Sequence, residues 1–255
     1  MGTGRRAVRV VEQERWVFNR LAEDYAQLPG YPPELVERLF HLAGGMGCRI
    51  ADLGAGAGQL ALPLARRGAC VLAVEPAAEM LRVLASRAGP SAVVPVQAAA
   101  EDTGLPAGSC GLVALADTLQ WVDAERTGRE AARLLDPGGV LAVLEPRLAS
   151  TPFLDALAQL VMGANGRARP SPPGRLAQLF AEAGCRPLVG ERFRQEEKLG
   201  PARLDAVLRS LSYLGPALSP AALADLLEEA RRLAAAHGGA VWRREIALTW
   251  ARSRA

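Results

Sequence analysis

The sequence predicts an α/β fold, doubly wound about a mostly parallel, seven-stranded sheet, and three observations carry that expectation. From Arg49 onward, short β-rich runs alternate with helical runs, the pattern of βαβ units whose sheet is covered on both faces. The first run breaks at "GAGAG" and passes straight into a helical stretch, a strand-to-helix turn. Two further strand-like runs close the chain, with a long helical stretch inserted between them.

In chain order, "QERWVFNRLAEDYAQ" has apolar residues at Val17, Leu21 and Tyr25, a helical spacing, and the prolines and glycine of "LPGYPP" end it. "ELVERLFHLAGG" is a second helix before the first strand. Strands are expected at 49–54, 70–75, 92–97, 111–117 and 139–145, with helices at 58–68, 77–89 and 123–135 between them. The last helix stops at "DPGG", where Pro137 and the glycines cannot continue it. "RARPSPPGR", 167–175, is too rich in Pro, Arg and Ser for a regular element and reads as a mobile loop. A helix at 176–184 follows, then strands at 186–199 and 241–253. The helical excursion between those strands, 201–239, is expected to sit over the sheet edge as a lid.

Half of the 255 residues are apolar, enough for a substantial core. Lys and Arg outnumber Asp and Glu by 30 to 27, a net charge of +3 that makes no electrostatic footprint for nucleic acid or a membrane surface. Four scattered cysteines, Cys48, Cys70, Cys110 and Cys185, with only two histidines, suggest neither a metal site nor a disulfide framework. A reducing cytoplasm is the expected setting. The first residues lack the apolar core of a signal peptide, and no stretch is long and uncharged enough to span a bilayer.

The chemistry concentrates in "RIADLGAGAGQLALPLARRGACVLAVEP". A strand, a glycine turn and a helix leave free N–H groups beside the carboxyl ends of parallel strands, where open α/β sheets bind ligands. The dinucleotide fingerprint G-x-G-x-x-G would need a third glycine at position 59, which is Gln59; the pattern is Gly54-x-Gly56-x-Gly58. Asp52, two residues before Gly54, would repel a pyrophosphate and attract a cation. S-adenosylmethionine carries an ammonium and a sulfonium and no phosphate. Glu75 ends the second strand, where an acid accepts from both ribose hydroxyls.

These residues resemble a class I S-adenosylmethionine-dependent methyltransferase. "ADLGAGAG" is similar to its first motif and "VEP" to its ribose-binding acid. "AAAEDTGLPAGSCGLVALADTLQWVD" and "LLDPGGVLAVLEP" are similar to the later strand motifs of the small-molecule group that includes ubiquinone/menaquinone-type and trans-aconitate-type enzymes. The resemblance runs over about 15 to 253. It implies a Rossmann-like core at 47–200, an N-terminal segment at 1–46 closing the cofactor site, a lid at 201–239 and a final core strand at 240–255. It further implies that Asp52, Gly54, Ala55, Gly56 and Gly58 meet the methionine end and Glu75 with Pro76 the ribose. Met80, Ala100 and Glu101 would meet the adenine, Tyr25 and Tyr31 would close the methionine side, and Asp117 and Thr118 would complete the cofactor site. Relatives often carry an acid where this chain has Ala99 and a histidine where it has Gln120.

Methyl transfer needs a nucleophile held in line with the methyl group and water excluded, which suits a lid. Candidate catalytic groups are Asp117, Gln120 and Glu145; Gln120, Trp121, Arg209 and Tyr213 are candidates for the acceptor. His41 reads as a packed or solvent-facing histidine and His237 as a helix cap. Leu204, Val207, Leu208, Leu211 and Leu214 recur at helical spacing and are expected to be mostly core. The expected function is methyl transfer from S-adenosylmethionine, released as S-adenosylhomocysteine, to O, N or C of a small molecule, plausibly a specialised metabolite, by a monomer or homodimer. The alternative is a cofactor-binding protein of this fold that does not transfer methyl. A nicotinamide-dependent oxidoreductase is disfavoured by Gln59 and Asp52.

Overall fold

A computed structural model describes residues 17–89, 92–165 and 174–253. The expected loop at 167–175 and the first residues of the chain lie largely outside them. Two helices, α1 (Val17–Tyr25) and α2 (Pro33–Leu42), lead into β1 (Arg49–Leu53), α3 (Ala61–Arg66), β2 (Cys70–Val74), α4 (Ala78–Ala88), β3 (Val93–Val96) and β4 (Cys110–Ala116). A 3₁₀ turn at Leu119–Trp121 precedes α5 (Ala124–Leu134) and β5 (Leu135–Leu148). Then come α6 (Pro152–Ala164), α7 (Arg175–Glu182), β6 (Val189–Leu199), α8 (Pro201–Ser210), α9 (Pro220–Ala236) and β7 (Ala240–Arg252).

Among the described residues seven strands form one sheet, in the order β3-β2-β1-β4-β5-β7-β6. β1 to β5 pair in parallel, and β7 runs antiparallel to both β5 and β6. The parallel run is doubly wound, because the order reverses at β1, between β2 and β4. Alternate strand residues feed two cores. Ile50, Val71, Leu112 and Val140 pack under α2 and α3, while Ala51, Leu72, Val113 and Leu141 pack under α5 and α7.

Several boundaries depart from the sequence expectation. The helix after the glycine turn starts at Ala61 rather than Gly58, because turns occupy 54 and 56–60. β5 begins at Leu135, where Pro137 and Gly138, the latter at φ +77°, bulge out before pairing resumes at Leu112 and Val140. α6 was not expected at all. Thr151 caps its first turn by accepting from the Leu154 N–H, and Pro152 opens it.

Among the described residues the lid therefore has three helices. Phe153, Leu154 and Leu157 of α6, Leu204, Val207 and Leu208 of α8, Leu214, and Leu226 and Leu227 of α9 form their own buried core with Trp242. α1 packs between α4 and α8, joining the Rossmann-like core to the lid. All four cysteines are free thiols. Among the described residues no helix is long and apolar enough to cross a membrane.

Candidate functional site

A cleft of about 590 Å³, its open mouth included, lies over the carboxyl ends of β1, β2 and β4. Gly54, Gly56, Glu75, Pro76, Met80, Ala100, Asp117, Thr118 and Trp121 line it, with Tyr25 closing it from α1. A second chamber adjoins it, sharing Tyr25, Gly54 and Asp117, and adds Tyr31, Asp52 and Ala55. Sequence-predicted residues from five segments thus converge on one place.

The glycine turn has the steric logic of a close approach. Gly54 sits at φ +79°, and a Cβ there would lie 2.4 Å from Thr118 Cγ2. Gly56, at φ +53°, faces the Tyr25 ring, 3.1 Å from where its Cβ would be. Gly58 turns away from the cleft, and a Cβ would press into Leu62 and Leu84 at 2.9 and 3.1 Å. Its role in the fold is tight helix packing.

Glu75 is only 8% exposed. Its carboxylate accepts from the Gly56 N–H at 3.1 Å and the Ala77 N–H at 2.9 Å, which fixes its orientation at the cleft wall. Asp52 is 1% exposed, and neither carboxylate oxygen accepts a hydrogen bond of ordinary geometry. Burial, reinforced by the Glu75 charge, raises its pKa to about 7, against the pull of the Ala61 amide. A buried carboxylate without partners is costly, so this position calls for a cation.

Asp117 follows β4 directly and sits in the left-handed region, at φ +54°, a conformation that costs a non-glycine residue on the order of 1 kcal/mol. Its surface faces the open chamber, while protein crowds its other sides. That crowding raises its pKa to about 6; the Gln120 side chain and then Arg244 oppose the rise, and Glu145 adds to it. Gln120 Nε2 donates to Asp117 Oδ1 at 3.1 Å and to its carbonyl at 2.9 Å. Burial also raises the phenols of Tyr25, Tyr31 and Tyr213, with the Asp117 charge the next cause in each.

Other predicted residues stand elsewhere. The Glu101 carboxylate accepts from the Asp123 N–H at 3.0 Å, at the start of α5, and does not line the cleft. Glu145 lines neither chamber and acts on Asp117 only through its charge. Arg209 pairs with Asp205 at 3.5 Å and with Asp24 at 4.0 Å, tying α8 to α1. Tyr213 packs against the lid core, and its carbonyl accepts from Asn165. His41 meets Glu37 at 2.8 Å on the surface, and His237 caps α9 beside the Phe153 ring.

Three contributors escaped the sequence reading. Phe18 stands edge-on to Trp121, ring centroids 5.0 Å apart, and lines the cleft. Its position on α1, one turn before Ala22 and two before Tyr25, was the available signal. Gln59, noticed only as a missing glycine, donates to the Tyr25 carbonyl at 2.7 Å and so holds α1 over the turn. Arg244 of β7 reaches the second chamber.

The family profile of the methyltransferase domain matches residues 51–143, from Asp52's strand to the middle of β5. Over those residues the chain is similar to methyltransferase domains. An uncharacterized methyltransferase of Mycobacterium tuberculosis is 41% identical over 116 residues, 46% of either chain, so the match spans about half the length of the curated relatives. A candidate type II methyltransferase of Anaeromyxobacter dehalogenans is 28% identical and superposes with a TM-score of 0.62 over 89% of this chain and 97% of that one. The fold likeness extends to phosphoethanolamine N-methyltransferase 2 of Haemonchus contortus, solved with phosphomonomethylethanolamine and S-adenosylhomocysteine. There the identity is 16% and the TM-score 0.53, over 87% of this chain and 53% of that one. In this chain the cleft lies at the switch point beside β1, where the sheet order reverses.

Proposed function

We propose that this chain transfers a methyl group from S-adenosylmethionine to O, N or C of a small molecule. The observation that carries the reading is Asp52, a buried carboxylate with two unpartnered oxygens at the wall of a cleft. A cationic donor meets that need, and a pyrophosphate would aggravate it. The residues present fit the donor: Glu75 is already oriented to accept from ribose hydroxyls, Met80, Ala100 and Val122 offer an apolar slot for the base, and Asp52 takes the ammonium.

Bound there, S-adenosylmethionine supplies an electrophilic methyl group. The protein's part is to position, to exclude water and to take a proton. Tyr25 and Tyr31 close the methionine side, and α1 with the lid shields it from solvent. Asp117, with its carboxyl near pKa 6, is the candidate base for an acceptor that must lose a proton, and Gln120 orients it. An acceptor amine that arrives neutral would need only the positioning. A cofactor-binding protein without transfer is the weaker reading, because it leaves the placement of Asp117 unused. The four free thiols suit a reducing cytoplasm.

The test is incubation with methyl-labelled S-adenosylmethionine and an extract of the native cell, followed by mass spectrometry. A product heavier by one methyl, with matching S-adenosylhomocysteine, is expected. Binding of donor without any methylated product would return the non-transferring reading.

A further inference from the structure

The second chamber holds a cation that lacks a counter-ion. Arg244 of β7 is part-buried and lines the chamber with Asp52, Asp117 and Tyr31. One terminal nitrogen, Nη2, takes all its hydrogen-bond partners: the carbonyls of Pro29, at 3.0 Å, and Gly30, and the Gln195 side chain. Nε is sealed from solvent with no partner. The guanidinium lies over the Tyr31 ring, 5.9 Å from its centroid. Among the described residues no carboxylate pairs with it, whereas its neighbour Arg203 pairs with Glu197 and also binds the Gln27 carbonyl.

That arrangement is half of an ion pair. Removing a guanidinium from water is expensive, and carbonyl dipoles and a ring face compensate only part of the cost. Burial pushes the Arg244 pKa down, and the Tyr31, Asp117 and Glu197 charges oppose that shift. Arg203 holds Gln27 to α8, whereas Arg244 holds Pro29 and Gly30, in the 27–31 strap, to β7 through Nη2 alone, which leaves its Nε without a partner.

We propose that Arg244 is the anchor for a carboxylate bound in this chamber. A carboxylate fits better than a phosphate, because Asp52, Asp117 and Glu75 share the site and would repel two charges on one group, whereas a di- or tricarboxylate need bring in only one of its carboxylates. Two sources share this chemistry: the amino-acid end of the methyl donor, whose ammonium would face Asp52, or an acidic acceptor. The donor source rests on the function proposed above; the anion anchor itself does not.

Binding measurements separate the possibilities. Wild type and Arg244→Gln are titrated with S-adenosylhomocysteine and its decarboxylated analogue, and, with S-adenosylhomocysteine saturating, with succinate and citrate. If the carboxylate is the donor's, the substitution weakens S-adenosylhomocysteine by about tenfold or more and leaves the analogue unchanged. If it is the acceptor's, both nucleosides bind as before while succinate and citrate binding is lost. Equal losses for both nucleosides, or no change with any ligand, would overturn the proposal and leave Arg244 a strut for the 27–31 strap. Should Arg244→Gln fail to fold, the wild type still decides. Equal affinity for the two nucleosides, together with no binding of succinate or citrate, overturns the anchor. Wild type that binds neither nucleoside but does bind succinate through Arg244 would defeat the methyl-donor reading and keep this one.

Discussion

The Glu75 carboxylate, at the tip of β2, accepts a hydrogen bond from the Gly56 N–H at 3.1 Å, so the acid of the second strand is fastened to the middle of the first strand's glycine turn. Each position needs the other: the turn presents its amide inward only because Gly56 takes φ +53°, and the acid is oriented only because that amide is there. Glu75→Ala should lose both the ligand contact and the tether. S-adenosylhomocysteine affinity is expected to fall by about tenfold or more. Glu75→Gln should recover little, because one end of its amide cannot accept an N–H. Calorimetric titration of both variants checks this; wild-type affinity in Glu75→Ala would remove the donor from this cleft.

Asp52 makes donor binding depend on pH. With its pKa near 7, the free protein holds a proton there below neutrality, and a bound cation requires the proton to leave. Affinity for S-adenosylmethionine should therefore drop as pH falls from 7 to 5, by up to about tenfold per unit. Stability moves the other way. A carboxyl raised above its unfolded value makes the free fold lose stability as pH rises from about 4 to 7, with no further loss above. Asp52→Asn should thus melt a few degrees higher than wild type at pH 8, the gap closing toward pH 4, while failing to bind donor. Melting curves across that range test the sign; an Asn variant less stable than wild type at pH 8 would contradict it.

Asp117 gives a second pH signature, in turnover. As a base it acts only when ionised, so kcat should fall below about pH 6 in proportion to its protonation. Asp117→Asn should flatten that limb and lower kcat by about a hundredfold or more, with KM for the donor changing far less. Gln120→Ala should shift the limb upward, since the side-chain amide stabilises the ionised form. An unchanged profile in Asp117→Asn would mean that the acceptor arrives already deprotonated.

The strands and the glycine turn were legible because their signals are local: apolar runs of strand length, punctuated by glycine and proline, leave little choice of element. α6 was not, although Thr151 and Pro152 mark its start. Only Asp155 and Gln159 interrupt its apolar surface, so no helical periodicity stands out. The site divided in the same way. Asp52, Gly54 and Glu75 announce themselves within one βαβ unit, whereas Arg243 and Arg244 are neighbours on a strand and face opposite sides. Which of them meets the cleft depends on pairing across β5 and β6, far away in sequence. Arg209 shows the converse: its charge in the lid suggested an acceptor contact, and in the structure it pairs with Asp205 and Asp24.

Gly54 tests the turn without touching a charge. Its φ of +79° strains any side chain, and a Cβ 2.4 Å from Thr118 Cγ2 is a clash that cannot stand. Gly54→Ala should cost on the order of 2 kcal/mol or more in unfolding free energy and weaken nucleoside binding. Thr118→Ser, which removes the clashing methyl, should recover part of the loss in the double variant. A fully additive double variant would show that backbone strain, and not the Thr118 contact, sets the cost.

Arg209→Ala separates a lid latch from an acceptor contact. The Arg209 ion pairs are part-exposed, at 3.5 and 4.0 Å, and such pairs contribute roughly 0.2–1 kcal/mol. Asp205 also keeps Arg231 at 2.6 Å, so the lid core loses little. The variant should therefore leave KM for the acceptor within about twofold of wild type. It should also raise the rate at which proteases cleave between α1 and α2, because the tie from α8 to Asp24 is the one it removes. A large rise in acceptor KM at unchanged protease resistance would instead return Arg209 to the acceptor site, and steady-state kinetics run beside limited proteolysis reads both quantities from one preparation.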